Sequence, residues 1–445
     1  MSLMKYYFLF LFLIGSVSPS KASELHDKLT KITNAYIEQD MFQGNVLVAI
    51  DQQVVAFVSS AKLPQSARFE IGSIAKQFTT ALMYLLKEKR LVDFNQPISG
   101  YIKEFSDYPV GSVTIQELLE HRSGLPRDFV TLAERDITRD LTSLQRLKRL
   151  KHISVSQTKT KRYSNAGFAL LSLVIEAVAQ KPFAQVLESK ITKPLALSDT
   201  GVISRQNLRS LVQGTNRLND QLVILPSAPQ NYAIGHGAMY SSVFDLYQWQ
   251  RALIKGEIVS KKSFAQMIEH NHGLFKYSYN WPSNKGANGR AITHGGSNEG
   301  FVANVSTYLN HELIVVILSN EKPAYVSALY NQLANAVLGM DEPLPYENLL
   351  KQFTQQVISK EMSNALAVFR AAQSAQRWDL PSAVQLNQSG YLYLTHGRLA
   401  EAEALFSFLT QVYPDYKNGW DSYAEALTAN NKPKEAKKIR TQYLH

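Results

Sequence analysis

Two pairs of β-branched runs, one near each end of the first 340 residues, constrain this chain's fold more than any other feature. Residues 45–50 (NVLVAI) and 53–57 (QVVAF) predict two strands joined by a tight turn at Asp51-Gln52. Residues 301–308 and 313–318 predict a second pair turning at Asn310-His311, followed by a helix over 324–338. The pattern between the two pairs is mostly helical. Strands at both ends of a helical middle imply one antiparallel sheet built from the two ends and flanked by helices, with a helical insertion over about residues 91–279. The expected class is therefore a two-lobed α/β (α+β) fold.

The strand signal stops near residue 341. Beyond it, Leu386, Gly390, Tyr393, Ala402, Phe406 and Pro414 fall on the spacing of a tetratricopeptide repeat, and Trp420, Tyr423, Leu427 and Ala436 take it up again. Leu386 and Trp420 stand one period of about 34 residues apart. The small residues at 390, 402, 424 and 436 mark where paired helices must approach closely. We read one good and one partial repeat, preceded by a helix over 347–376. So few repeats bury little surface by themselves, so an all-helical module over 341–445 is expected to dock on the rest of the chain or on a partner protein.

Residues 1–22 read as a secretory signal, with Lys5 in the basic region, an apolar stretch over 6–14, and Ser20-Lys21-Ala22 at the cleavage position. The apolar stretch is shorter than the ~20 residues a spanning helix needs, which favours cleavage over an uncleaved anchor. An exported protein, periplasmic or secreted, with its first domain over 23–340, is the expectation. The chain has no cysteine, which excludes disulfides, thiolate catalysis, zinc–thiolate sites and a lipidated N-terminal cysteine. The net charge of +10 falls before residue 341, because acids and bases balance beyond it. A basic run from Arg146 to Arg162 contains no acid, and reads as a solvated helix face or a feature suited to anionic substrates or surfaces. It has no interleaved aromatics, and nucleic acid is not an expected partner.

Three short words carry chemistry. In FEIGSIAKQFT, over 69–79, an extended segment turns at Gly72 into a helix, placing Ser73 at its N-terminus, where free amides and the helix dipole favour negative charge. Lys76 lies one turn on along the same face, so its amine can reach the serine hydroxyl as a partly desolvated base. The same Ser-x-x-Lys spacing at Ser156 and Lys159 lacks this strand-to-helix context. Tyr163-Ser164-Asn165 opens an amphipathic helix. As a phenolate beside Lys76, Tyr163 would shuttle the serine proton, and Asn165 would contact substrate or cap the turn. His294-Gly295-Gly296-Ser297 follows a short strand; its glycines admit a substrate along the strand edge, and the amide of Ser297 would join that of Ser73 in an oxyanion hole.

In order and approximate spacing these words resemble the class C β-lactamase-like serine hydrolases, a family that includes D-alanyl-D-alanine carboxypeptidases, D-aminopeptidases and carboxylesterases. LLEHRSGL at 118–125, GHGAMYSS at 235–242 and LSN at 318–320 add to the likeness, which covers about residues 40–340. It implies the β-lactamase/transpeptidase-like fold, Ser73 as nucleophile, Lys76 and Tyr163 as the proton-transfer pair, and Asn165 and the 294–297 segment as substrate contacts. It implies no cofactor, and His-Glu-x-x-His or another spaced metal-ligand set is not found. His-Gly-Gly stands where true β-lactamases usually have Lys-Thr-Gly. Histidine is mostly neutral at pH 7, which favours a peptidase or esterase acting on a peptide or small ester over antibiotic hydrolysis. Arg122, where the family often has threonine, is a smaller departure. The alternative reading is an idle binding module whose helical tail recruits a partner.

Overall fold

The computed structural model describes residues 19–60, 63–130, 134, 140–218, 221–226, 228–280, 288–340, 343–377 and 379–443. The signal-like segment lies almost wholly outside them. Helix α1 spans Pro19–Glu38.

The two strand pairs pair with each other across the length of the chain. Strands β1 (Gly44–Ile50) and β2 (Gln53–Ser59) turn through Asp51 and Gln52, both in the left-handed region at φ 47° and 67°, the geometry of a type I′ hairpin. With β3 (Phe275–Asn280), β4 (Asn288–Asn298), β5 (Phe301–Tyr308) and β6 (Leu313–Ser319) they form one antiparallel sheet in the order β2–β1–β6–β5–β4–β3. The first strand is thus hydrogen-bonded to the last, with Val46 opposite Ile317.

Strands β1 and β6 read as unbroken apolar runs because both faces of the sheet are covered. Leu47, Ala49, Ile314, Val316 and Leu318 point into a core shared with the helical insertion. Their neighbours Val46, Val48, Val315 and Ile317 point the other way, into a core shared with α1, the helix Val326–Val337 and the tail. The insertion is not purely helical. Two small three-stranded sheets interrupt it, one of them joining Phe69–Glu70, Met239–Ser241 and Gly201–Val202. Short polar-rich strands of two to four residues carry too little periodicity to register in the sequence.

The described residues of the tail form six helices, of which Ala383–Thr395 packs on Leu399–Val412 and Lys417–Ala429 on Pro433–Tyr443. A Cβ on Gly390 would stand 2.5 Å from the Phe406 ring, so the small residue there is a packing requirement. The single helix expected over 347–376 is two, Leu349–Ile358 and Met362–Ser374, broken at Lys360 with φ 65°. The break turns Phe353 and Phe369 onto one another at 5.4 Å, both fully buried. The tail docks on the sheet's outer face, since its aromatic residues belong to the same core as Ile317.

The basic run divides. Lys148, Lys159, Lys161 and Arg162 are exposed, but Arg146 is fully buried, donating to Ser172 and to Glu176 at 3.1 Å. A solvated face therefore describes only part of it. Among the described residues no single helix is long and apolar enough to cross a membrane. Folding also assembles a group that sequence spacing does not offer: ligand atoms of Glu120, His270 and His272 lie within 4.8 Å of one another.

Candidate active site

Ser73 is presented by a strand, a turn and a helix in succession. Phe69–Glu70 is held in its small sheet, and the amide of Ile71 donates to the carbonyl of Met239 at 3.0 Å. Gly72 then turns at φ 48° into a short 3-10 turn, Gly72–Ile74, which continues as helix α2 (Ala75–Glu88). Only glycine serves at position 72, where a Cβ would also meet the Ser297 amide nitrogen at 2.5 Å.

Lys76 follows one turn along, fully buried, with its Nζ 3.1 Å from Ser73 Oγ. Its other two contacts are the Asn165 Oδ1 and the carbonyl of His236, each at 2.8 Å. Burial, reinforced by the Arg127 charge and opposed by that of Asp128, holds the amine's pKa well below its ordinary value. A neutral amine has two N–H donors and one lone pair. Asn165 Oδ1 and the His236 carbonyl accept only, so in that form the donors go to them and the lone pair faces the Ser73 hydroxyl. The arrangement can take the serine proton.

Asn165 is the first residue of helix α3 (Asn165–Ala179), whose N-cap is Ser164, accepting from the Gly167 amide at 3.1 Å. Its Nδ2 donates to Asp128 Oδ1 at 2.7 Å, and because a carboxylate cannot donate, this fixes Oδ1 toward Lys76. Asn165 thus holds the lysine rather than merely capping a turn.

Tyr163 places its hydroxyl 2.9 Å from Ser73 Oγ. The expected phenolate is not what this setting supports. Desolvation outweighs the hydrogen bond with Ser73 and the Arg127 charge, and the phenol is pushed up to about 12. Tyr163 is a neutral donor at physiological pH, its ring centroid 4.6 Å from that of His121 with the two planes tilted by 31°.

The third word lies inside β4, longer than the short strand expected before it, and it abuts the serine turn. A Cβ on Gly296 would fall 1.9 Å from the Ile71 carbonyl oxygen and 3.2 Å from the Ser73 amide nitrogen. The amides of Ser73 and Ser297 are thereby brought to the same seam. His294 is buried, with Nδ1 2.7 Å from the Gly295 carbonyl, and burial followed by the Lys76 charge lowers its pKa to about 3. It is a neutral imidazole, and Gly295 continues the strand opposite Asn304. The second Ser-x-x-Lys word is elsewhere: Ser156 bonds its amide to the Gly124 carbonyl in a loop, and Lys159 pairs with Glu117.

Several residues that complete the site were not singled out by their sequence context. His121, at φ 58°, accepts from the Ser164 amide through Nδ1 at 3.0 Å and sets the position of the Tyr163 segment. Asp128 orients Asn165. Glu70, buried just before the turn, accepts from Asn298 at 2.8 Å and from Gln230 at 2.6 Å, tying the end of β4 to the serine strand. Asn298 also donates to the Gly237 carbonyl, next to the His236 carbonyl that receives Lys76. The phrase LLEHRSGL contained His121, but only as part of a likeness.

Comparisons with known proteins place the chain among its relatives. The chain is 24% identical to penicillin-binding protein 4* of Bacillus subtilis (strain 168), over 69% of this chain and 75% of that protein. It is 24% identical to the teichoic acid D-alanine hydrolase of Staphylococcus aureus (strain NCTC 8325 / PS 47), over 71% of this chain and 81% of that one. The D-amino acid amidase of Ochrobactrum anthropi SV3 shares the fold at a TM-score of 0.60 and 19% identity, over 71% of this chain and 99% of the amidase. The β-lactamase family model matches residues 30–338, and with Ser73, Lys76 and Tyr163 gathered at one turn the chain belongs to the β-lactamase family.

Proposed function

We propose that this chain is a serine hydrolase that forms an acyl-enzyme at Ser73 and then hydrolyses it, acting on an amide or ester. One observation carries the reading: Ser73 Oγ sits between the Lys76 amine at 3.1 Å and the Tyr163 hydroxyl at 2.9 Å, with the lysine's remaining hydrogens committed to pure acceptors. Neutral Lys76 takes the proton from Ser73 as Oγ attacks the carbonyl carbon. Tyr163 gives its proton to the departing nitrogen or oxygen and is reprotonated from Lys76. The Ser73 and Ser297 amides receive the oxyanion. Water then attacks the ester by the reverse relay.

Neutral His294 narrows the substrate. A lysine in its place would hold a carboxylate beside the scissile bond, and an imidazole titrating near 3 cannot. The substrate is therefore an ester or amide whose neighbouring carboxylate is absent or already esterified or amidated. The activities named for the relatives, on teichoic acid D-alanine and on D-amino acid amides, are of this kind. We place the enzyme outside the cytoplasm on its signal-like N-terminus, with a hydrolase domain over 23–340 and a tetratricopeptide-like module over 341–445 available to a protein partner.

Labelling with a fluorophosphonate and a fluorescent penicillin, followed by turnover of a nitrophenyl ester, a D-alanyl-D-alanine peptide, a D-amino acid amide and a cephalosporin, tests this. Fluorophosphonate label and turnover that vanish in Ser73→Ala are expected, with the ester and D-amino acid amide preferred and the penicillin label weak. Well-folded wild type that takes no fluorophosphonate label would overturn it.

A further inference from the structure

Glu120, His270 and His272 come from segments 150 residues apart in the chain and meet beside the far end of the serine helix. Glu120 closes the short helix Ile115–Leu119, and the two histidines flank the left-handed Asn271 that ends helix Lys261–His270. Glu120 Oε1 lies 3.7 Å from His270 Nδ1 and 3.8 Å from His272 Nε2. A tetrahedron with metal–ligand bonds of ~2.0–2.1 Å has edges of about 3.3–3.5 Å, so both edges to Glu120 are within a few tenths of an ångström of that geometry, and the third, between the two histidines, is within 4.8 Å. The shorter edges of an octahedron fit less well.

His272 supplies the second observation. Its ring is 1% exposed, yet Nε2 has no hydrogen-bond partner and faces the Glu120 carboxylate. Its Nδ1 is occupied, 3.0 Å from the Tyr84 hydroxyl. A buried imidazole with one nitrogen tied to an oxygen and the other left open toward a carboxylate has the arrangement of a metal-ligating histidine and its supporting hydrogen bond.

We propose that Glu120 Oε1, His270 Nδ1 and His272 Nε2 form a three-ligand site for Zn²⁺, with a fourth position open to water on the exposed His270 side. Two imidazoles and one carboxylate suit zinc over magnesium or calcium, which take oxygen ligands. The site acts as a brace. Gly273, the next residue, packs so closely on α2 that a Cβ would stand 2.5 Å from Thr80 Oγ1 and 2.9 Å from the Lys76 carbonyl oxygen. On the other side, Glu120 precedes His121, which positions Tyr163. An ion here would therefore tie the Lys76 helix to the segment carrying Tyr163. Gln116 and Arg122 also reach Glu120, and Lys87 and Lys161 add positive charge near His272, so the site competes with internal partners and is weaker than a closed structural zinc site.

Titration of the full chain with Zn²⁺ by calorimetry at about pH 7.5 tests the proposal. Wild type is expected to bind one equivalent at least about tenfold more tightly than His270→Ala or Glu120→Gln. His270 is half-exposed, so its replacement should leave the circular dichroism spectrum unchanged. Co²⁺ in the same site should give the intense visible bands of tetrahedral cobalt, absent in His270→Ala. Equal zinc affinity and stoichiometry in wild type and His270→Ala, or cobalt that keeps the weak spectrum of the aquo ion, would overturn it.

Discussion

The Asp128 carboxylate accepts from Asn165 Nδ2 at 2.7 Å, and that one bond decides which end of the Asn165 amide faces Lys76. Charge and orientation can be separated here. Asp128→Asn keeps an acceptor oxygen and removes the charge that raises the Lys76 pKa, so the amine should titrate lower still. The acid limb of the pH–rate profile for ester hydrolysis should move to lower pH, with the maximal rate within about tenfold of wild type. Asp128→Ala removes the acceptor too and frees the amide to rotate. A loss of about 10–100-fold is expected, the scale of a misplaced base. Equal effects of the two variants would show that Asp128 acts through charge alone.

Tyr163→Phe separates leaving groups. A nitrophenolate departs without a proton, whereas an amide nitrogen must receive one. If the neutral phenol is the donor, Tyr163→Phe should lower D-amino acid amide hydrolysis by about 10²–10⁴-fold, and acylation by a nitrophenyl ester by about tenfold or less. Stopped-flow burst measurements on the ester, beside steady-state rates on the amide, check this. Parallel losses on both substrates would assign Tyr163 to serine activation instead.

The serine turn and β4 were legible as separate words because each is a local statement: a glycine before a serine, a lysine one turn on, two glycines in a strand. Their convergence was legible only through likeness, since nothing in residues 69–79 says that Gly296 will fit against Ile71. The direction of the Tyr163 shift was misread for a related reason. Sequence names a neighbouring cation but does not report burial, and burial dominates both Lys76 and Tyr163. Asp128 and His121 act through loops with no periodicity, and Glu120 and His272 are joined only by tertiary structure. In the tail, the 34-residue spacing exposed the helix pairs, while the break at Lys360 rests on a single left-handed residue that composition does not mark.

Gly296→Ala tests the seam directly. The added methyl would fall 1.9 Å from the Ile71 carbonyl oxygen, a backbone atom that cannot step aside without moving the turn. Overpacking of this kind costs about 1–3 kcal/mol, and here it displaces β4 from the nucleophile. Thermal denaturation should show that loss, and fluorophosphonate labelling of still-folded protein should fall at least about tenfold. Gly100→Ala is the control. No atom stands within 4 Å of the position its Cβ would take, so stability and labelling should stay at wild-type levels.

Acid should unfold this protein through its buried imidazoles. His121 and His294 are each at most 4% exposed, and burial, with the Lys76 charge next, lowers both to about 3 from 6.5. Between those values the unfolded chain binds protons that the folded one refuses, so stability is fully present above about pH 6.5 and falls as the pH drops toward 3. At pH 5 each imidazole accounts for on the order of 2 kcal/mol of that loss. Denaturant melts at pH 7.5 and pH 5 measure it, and His294→Asn, which can keep a donor to the Gly295 carbonyl but cannot be protonated, should shrink the difference by about one imidazole's share. An unchanged difference would mean that His294 already titrates near its ordinary value, and with it would go the argument that no cation waits beside the scissile bond to hold a carboxylate.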